Sequence, residues 1–129
     1  MNRSSVVVLM LPALVGLGPI LVAGCGGKTP SVSTSTTEAT VRGQVIVHGK
    51  PVSGGLVWFD PANYRRKNAV AISTEVTKDG SYEITTLIGE NSVRYEGPAV
   101  AGDRELDGLV QGYTVEEGEN SWDIVLPVQ

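Results

Sequence analysis

Apolar and polar residues alternate along most of the chain from residue 41 onward, and this period of two is typical of β-strands whose two faces meet different surroundings. The first alternating stretch, Val41–His48, is predicted to bury Val41, Val45 and Val47 and to expose Arg42, Gln44 and His48. Further strands are predicted where the alternation resumes between glycine or proline turns. They cover residues 56–60, 69–78, 81–87, 93–96, 113–115 and 121–126.

The same alternation predicts which side chains point inward in the later strands. In the second strand Val57 and Phe59 are predicted to be buried, while Trp58 faces the other way. The third and fourth strands are separated by Asp79-Gly80, a dipeptide that favours a tight hairpin because glycine accepts a positive φ. The other predicted inward residues are Val70, Ile72, Thr74, Val76, Tyr82, Ile84, Trp122, Ile124 and Leu126.

No stretch between residues 41 and 129 shows a helical period, and residues 99–112 are predicted as a polar, glycine-rich loop. Short alternating strands separated by turns favour two packed sheets. The sequence therefore predicts one all-β domain, a β-sandwich of about seven strands over residues 41–129.

The N-terminal part has a different pattern. A single cation, Arg3, precedes an uncharged apolar run from Val6 to Val22, and small residues follow. These are the marks of a secretory signal. The run approaches the length of about 20 residues that spans a bilayer, but prolines and glycines interrupt it. An uncleaved membrane anchor and ordinary secretion remain alternatives.

The run ends in Leu21-Val22-Ala23-Gly24-Cys25, which resembles the recognition motif of bacterial lipoprotein signals. The resemblance implies that residues 1–24 are removed as a signal peptide and that the sulfur of Cys25 carries diacylglycerol. The implied partner of this residue is a lipid membrane, because two or more acyl chains hold a protein stably. Gly26 and Gly27 follow instead of an acidic residue, which in this family implies the outer rather than the inner membrane. The domain would face the periplasm or the exterior of the cell envelope.

Residues 25–40 are predicted to form a flexible tether behind the lipid. Serine and threonine dominate this stretch, and it holds few large apolar side chains. Such a segment buries too little surface to offset its ordering entropy.

Composition narrows the possible partners. The chain carries 10 basic and 14 acidic side chains, a formal net charge of −4, so neither nucleic acid nor an anionic membrane face is expected as the main partner. Cys25 is the only cysteine, and its acylation leaves no thiol for a disulfide.

Several turn glycines and inward positions of the domain resemble the carboxypeptidase regulatory-like family. The matching motifs are Val41-x-Gly43-x-Val45, Gly49-Lys50-Pro51, Gly55-x-Val57-x-Phe59-x-Pro61 and Asp79-Gly80-x-Tyr82-x-Ile84. The resemblance implies a transthyretin-like (prealbumin-like) Greek-key sandwich that serves as a non-catalytic module. The related hydrolases end in Tyr-Arg-Gly-Ser, whereas this chain ends in Leu126-Pro127-Val128-Gln129, so their chemistry is not expected here.

Residues suited to catalysis or metal binding are few. His48 is the only histidine, so a catalytic triad would depend on it, and zinc sites typically need several such ligands. Residues 103–108 partly imitate a calcium-binding loop, but its twelfth position would be Thr114 instead of glutamate. No metal or other cofactor is therefore expected.

Two features are candidates for binding. Tyr64-Arg65-Arg66 begins a basic loop that could pair with acidic groups, and Trp58 could stack on a sugar or dock a partner. The prediction is a non-catalytic, membrane-tethered module that binds or supports an envelope protein or a polysaccharide. The alternative is an enzyme or cofactor carrier with an unrecognised site.

Overall fold

The computed structural model describes residues 32–128, so the predicted signal and Cys25 lie outside the described residues. Within this range the chain forms nine strands and no helix. They are β1 (Glu38–Val47), β2 (Lys50–Pro51), β3 (Leu56–Asp60), β4 (Ile72–Glu75), β5 (Ser81–Leu87), β6 (Gly89–Glu96), β7 (Gln111–Val115), β8 (Glu119–Ser121) and β9 (Ile124–Leu126). Accordingly, no helix of the described range is able to cross a bilayer.

The first sheet is built around β1, which is hydrogen-bonded along both edges. β5 and β2 pair with β1 in the antiparallel sense, whereas β8 and β9 pair with it in the parallel sense. Residues 40–42 pair with β5 and β8 at once, so these two strands lie on opposite sides of β1. The strand that leads out of the predicted tether is therefore the central strand of its sheet.

The second sheet has the strand order β4-β3-β6-β7, and each neighbouring pair is antiparallel. The inward side chains of the two sheets form one core, which confirms the predicted all-β sandwich. Its largest fully buried side chains are Tyr95, Phe59, Ile124, Leu126, Val41, Val45, Val57, Val93, Val100 and Val115. One of these, Val100, belongs to the predicted loop 99–112, and another, Leu126, ends the last predicted strand.

The predicted turn at Asp79-Gly80 is present, and the side chains after it face the predicted way. The prediction of a hairpin is wrong, however, because the two flanking strands do not pair with each other. β4 pairs with β3 and β5 pairs with β1, so the turn carries the chain from one sheet to the other. Gly80 has the expected positive φ, 88°. Ile84 is buried and Glu83 exposed, as predicted. A turn dipeptide indicates that the chain reverses, but not which strands pair on either side of it.

The third predicted strand is too long. Only Ile72–Glu75 forms β4, and Val70, predicted to face inward, is 74% exposed in the preceding loop. Conversely, Asn91 falls in the gap between the predicted strands 81–87 and 93–96, but it lies in β6, where it is buried. Its side chain accepts a hydrogen bond from Thr86 Oγ1 (2.9 Å) and donates to the carbonyl of Leu87 (3.0 Å).

Gly43 marks a close approach between β1 and the chain that joins β8 to β9. The Trp122 amide donates to the Arg42 carbonyl (2.9 Å), and the Gln44 amide donates to Asp123 Oδ1 (2.9 Å). A β-carbon on residue 43 would lie only 1.8 Å from the Trp122 carbonyl oxygen. Glycine is therefore required here by space.

Candidate functional site

Trp58 lies on the outer face of the second sheet, opposite Val57 and Phe59, as its position in β3 predicts. Its direct cross-strand neighbours are Ser73 on β4 and Arg94 on β6. The Arg94 guanidinium carbon stands 5.0 Å from the centroid of the Trp58 ring, a cation–π arrangement. The indole is thus half-buried, and it is covered by an arginine side chain.

The indole nitrogen Nε1 of Trp58 is buried, yet it has no hydrogen-bond partner among the described residues. The ring lines a pocket of about 220 Å³ together with Asp60, Ala71, Ser92, Val93, Arg94 and Val110. Val110 at its rim is 58% exposed. The pocket therefore combines an aromatic surface with a cation, a carboxylate and a hydroxyl.

The basic loop that includes Tyr64, Arg65 and Arg66 lies elsewhere, between β3 and β4. Tyr64 is 64% exposed, and the Arg65 guanidinium carbon lies 5.6 Å from the centroid of its ring. Arg65 and Lys67 are exposed and form no ion pair within the part of the chain that the structure describes. These side chains are available to an external partner.

Arg66, in the same loop, is engaged inside the protein. Its guanidinium donates to the carbonyl oxygens of Pro61 (2.7 Å), Ile88 (2.8 Å) and Ser35 (3.0 Å). Carbonyl groups thus occupy much of its donor capacity. Arg66 joins its own loop to the start of β6 and to the segment before β1, and it contributes structure at this position instead of a free charge.

A larger groove, of about 560 Å³, lies between strands β1 and β5 of the first sheet and the edge strand β4 of the second, and the sequence did not indicate it. It is lined by Arg42, Gly43, Gln44, Thr74, Glu75, Thr77, Ser81, Tyr82, Glu83 and Ser121. Arg42 forms ion pairs with Glu83 (2.8 Å) and Glu119 (2.5 Å). The hydrogen bond from Arg42 lowers the pKa of the Glu83 carboxyl. The lining residues come from strands far apart in sequence, so no local motif reveals the groove.

His48 and Asp103 of the acidic loop lie close to each other. His48 follows β1 in a turn, as predicted, with φ 50°, and its Nε2 lies 3.6 Å from Asp103 Oδ2. Asp103 Oδ1 in turn accepts from the amides of Glu105 (3.0 Å) and Leu106 (3.3 Å), which fixes the turn that buries Leu106. Within residues 32–128 no three His, Cys, Asp or Glu side chains are grouped so that they could hold a metal ion.

No family model and no curated protein matches this chain. Among solved structures, a DUF3823 family protein from Parabacteroides merdae superposes with a TM-score of 0.54 at 15% identity, over 70% of this chain and 46% of its own. Another from Bacteroides ovatus gives a TM-score of 0.46 at 21% identity, over 69% and 43%. This chain thus spans less than half the length of both. The likeness at this identity concerns the fold, a β-sandwich.

A dioxygenase domain from Streptomyces sp. SirexAA-E, part of a dioxygenase–carbohydrate-binding fusion, gives a TM-score of 0.43 at 20% identity, over 76% of this chain and 86% of its own. This likeness is too low to support an argument about chemistry. The motif resemblance to the carboxypeptidase regulatory-like family stays a prediction, since no family model matches.

Proposed function

We propose that this chain is a lipid-anchored protein of the cell envelope whose β-sandwich is a non-catalytic binding module. The resemblance of Leu21–Cys25 to the recognition motif of bacterial lipoprotein signals supports the anchor. The described residues support a sandwich whose first strand begins 13 residues after Cys25 (38 − 25) and which presents a polar pocket around Trp58.

One observation carries the binding role: the buried, unpartnered N–H of Trp58. A buried polar group without a hydrogen bond costs about 1–3 kcal/mol. Nearly all buried polar atoms in folded proteins are satisfied, and an exception requires an explanation. Because this nitrogen has almost no accessible surface in the free protein, a ligand oxygen would reach it only after a neighbouring side chain such as Arg94 moves, and the new hydrogen bond would then recover the cost.

The lining of the pocket favours a carbohydrate over a purely apolar ligand. An indole offers a flat surface for a sugar ring. Arg94, Asp60 and Ser92 supply donors and acceptors at its edge, where ring hydroxyls would project. We therefore infer that the partner is an envelope polysaccharide. An envelope protein with a polar surface is the second candidate.

The binding role is tested with immobilised peptidoglycan and a panel of purified glucans and uronic-acid polymers. We expect at least one polymer to retain the wild-type chain, and Trp58→Ala to weaken this binding about tenfold or more, the effect of losing one stacked side chain. Val128→Ala is the control, because Val128 is an exposed apolar residue that lines neither this pocket nor the basic loop. If both variants bind like the wild type, or if no polymer retains the protein, the assignment of this pocket is wrong.

The anchor is tested separately by detergent phase partitioning of the full chain expressed in a bacterium. The wild type should enter the detergent phase and carry covalently bound acyl chains, whereas Cys25→Ser should carry none, because only the thiol can accept the lipid. Acylation is the deciding measurement, since an uncleaved apolar run Val6–Val22 would by itself bring the variant into detergent. Wild-type protein without acyl chains, or equal acylation of both proteins, would contradict the lipid anchor and would not affect the proposed binding role.

A further inference from the structure

Part of the predicted tether is fastened to the sandwich. Asn63 Nδ2 donates to the Ser33 carbonyl (2.9 Å), Arg66 donates to the Ser35 carbonyl (3.0 Å), and the Ile88 amide donates to the Thr37 carbonyl (2.9 Å). These three contacts hold the segment 33–37 against the loop between β3 and β4 and against the start of β6. The chain therefore leaves the sandwich at a defined place.

That place is one end of the sandwich. β1 begins here at Glu38 and runs to Val47 at the other end, where His48 faces Asp103. The basic loop Tyr64–Lys67 lies at the same end as the exit, because Thr34, Ser35 and Thr36 line one shallow depression together with Arg65, Arg66 and Lys67.

The distance from this end to the lipid is short. Seven peptide steps separate Cys25 from Val32, the first described residue. A chain spans at most about 3.3–3.6 Å per residue, so Val32 lies within about 25 Å of the lipidated sulfur. The basic loop beside the exit is consequently held close to the bilayer.

We propose that the Tyr64–Lys67 loop is a membrane-contact surface that binds the anionic phospholipid headgroups of the bilayer in which Cys25 is anchored, and thereby orients the sandwich. This inference rests on the proposed lipid anchor. Arg65 and Lys67 supply exposed positive charge, and Tyr64 supplies an aromatic ring with a polar tip, a combination suited to the headgroup region. Each of these contacts with headgroups is weak by itself. Because the lipid anchor already holds the protein at the bilayer, the effective concentration of headgroups near the loop is high and the contacts form more readily.

Acidic groups at the same end set the tilt. The carboxylates at this end are Glu38, Asp60, Glu90, Glu116, Glu117 and Glu119. Glu116 and Glu117 lie in the turn after β7, and Glu119 begins β8, so β6 separates this acidic group from β3 in the second sheet. The basic loop therefore lies on one side of this end, and the acidic group of three lies on the other. An anionic surface attracts the first and repels the second, so the sandwich should lean onto the β3–β4 loop.

The experiment uses the acylated full chain in vesicles of phosphatidylcholine, with or without phosphatidylglycerol. Because lipid blocks the sulfur of Cys25, an introduced Asn68→Cys provides the single reactive thiol for a fluorophore beside the loop. Arg104→Cys places the same fluorophore at the far end, next to Asp103. Headgroup-nitroxide lipids should quench the label at 68 at least twice as strongly as the label at 104, and only in anionic vesicles.

Charge reversal supplies the second arm. With the label at 68, Arg65→Glu/Lys67→Glu should abolish the excess quenching, while Lys50→Glu/Lys78→Glu, equal in charge change and exposed elsewhere, should leave it intact. Arg66 is kept, since it holds the segment 33–37. If the vesicles retain the protein but quench both labels equally, the proposed contact surface is wrong while the anchor stands. The same conclusion follows if quenching at residue 68 does not depend on Arg65 and Lys67. Protein that is not retained by the vesicles refutes the anchor, and the contact surface with it.

Discussion

Replacement of Gly43 by alanine tests the central strand of the first sheet. The added β-carbon would lie 1.8 Å from the Trp122 carbonyl oxygen. Carbon and oxygen in close non-bonded contact stay about 3.3 Å apart. The backbone of either β1 or the β8–β9 connection must therefore move by about 1.5 Å, because neither atom belongs to a flexible side chain.

Such a movement affects three hydrogen bonds that hold the connection in place. They are Trp122 N–H to the Arg42 carbonyl (2.9 Å), Gln44 N–H to Asp123 Oδ1 (2.9 Å) and Tyr82 O–H to the Trp122 carbonyl (2.6 Å). Each contributes about 1 kcal/mol net. We expect Gly43→Ala to lower the free energy of unfolding by about 3 kcal/mol, a large share of the 5–15 kcal/mol typical of a domain.

The measurement is urea unfolding of the chain without its signal, with Cys25→Ser to prevent acylation, followed by tryptophan fluorescence. Gly112→Ala is the matched control: residue 112 is also a strand glycine, and its added β-carbon would meet nothing within 4 Å. The control should stay within about 0.5 kcal/mol of the parent. If the two alanine variants unfold at the same urea concentration, the close approach at Gly43 is wrong.

Two further predictions concern β5. Ile84→Ala should lower the free energy of unfolding by about 2–5 kcal/mol because the side chain is buried. Glu83→Ala should lower it far less, because Glu83 is exposed and loses only a solvent-screened ion pair with Arg42. Equal urea midpoints of the two variants would refute the inward position of Ile84. Burial raises the pKa of Tyr82 above its ordinary value of 10.0, so ionisation favours the unfolded chain, and stability should fall as pH rises above about 10. Tyr82→Phe should flatten this decline in alkaline melts, and an unchanged slope would assign it to other groups.

The facing of side chains could be predicted from the sequence because it depends on a local period of two. Val57, Trp58 and Phe59 lie on the faces that the alternation assigns. The prediction failed at Val70, because a few alternating residues in a loop look like a strand end. Local pattern carries no information on whether a neighbouring strand exists to pair with them.

The pairing of strands and the set of residues around Trp58 could not be predicted from the sequence, for the same reason. The Asp79-Gly80 turn joins strands of different sheets, which depends on β1 and β3 as competing partners. Trp58 could be identified as a candidate, but its cover, Arg94, lies on a strand 36 positions later in the chain (94 − 58) and meets it only through the register of β3 and β6. Likewise, nothing local distinguishes Arg66, which fastens the segment before β1, from its exposed neighbour Arg65.

The central position of β1 gives the proposed anchor a mechanical basis. Any pull on a lipid at Cys25 reaches the domain through residues 33–37 and then along β1. An edge strand could be peeled away one hydrogen bond at a time, but β1 is paired with β5 on one side and with β8 and β9 on the other. Its displacement would break both ladders together. Arg66 holds Ser35, in the segment before β1, and also bonds to the carbonyl of Ile88. These hydrogen bonds would therefore resist a pull before it reached the sheet.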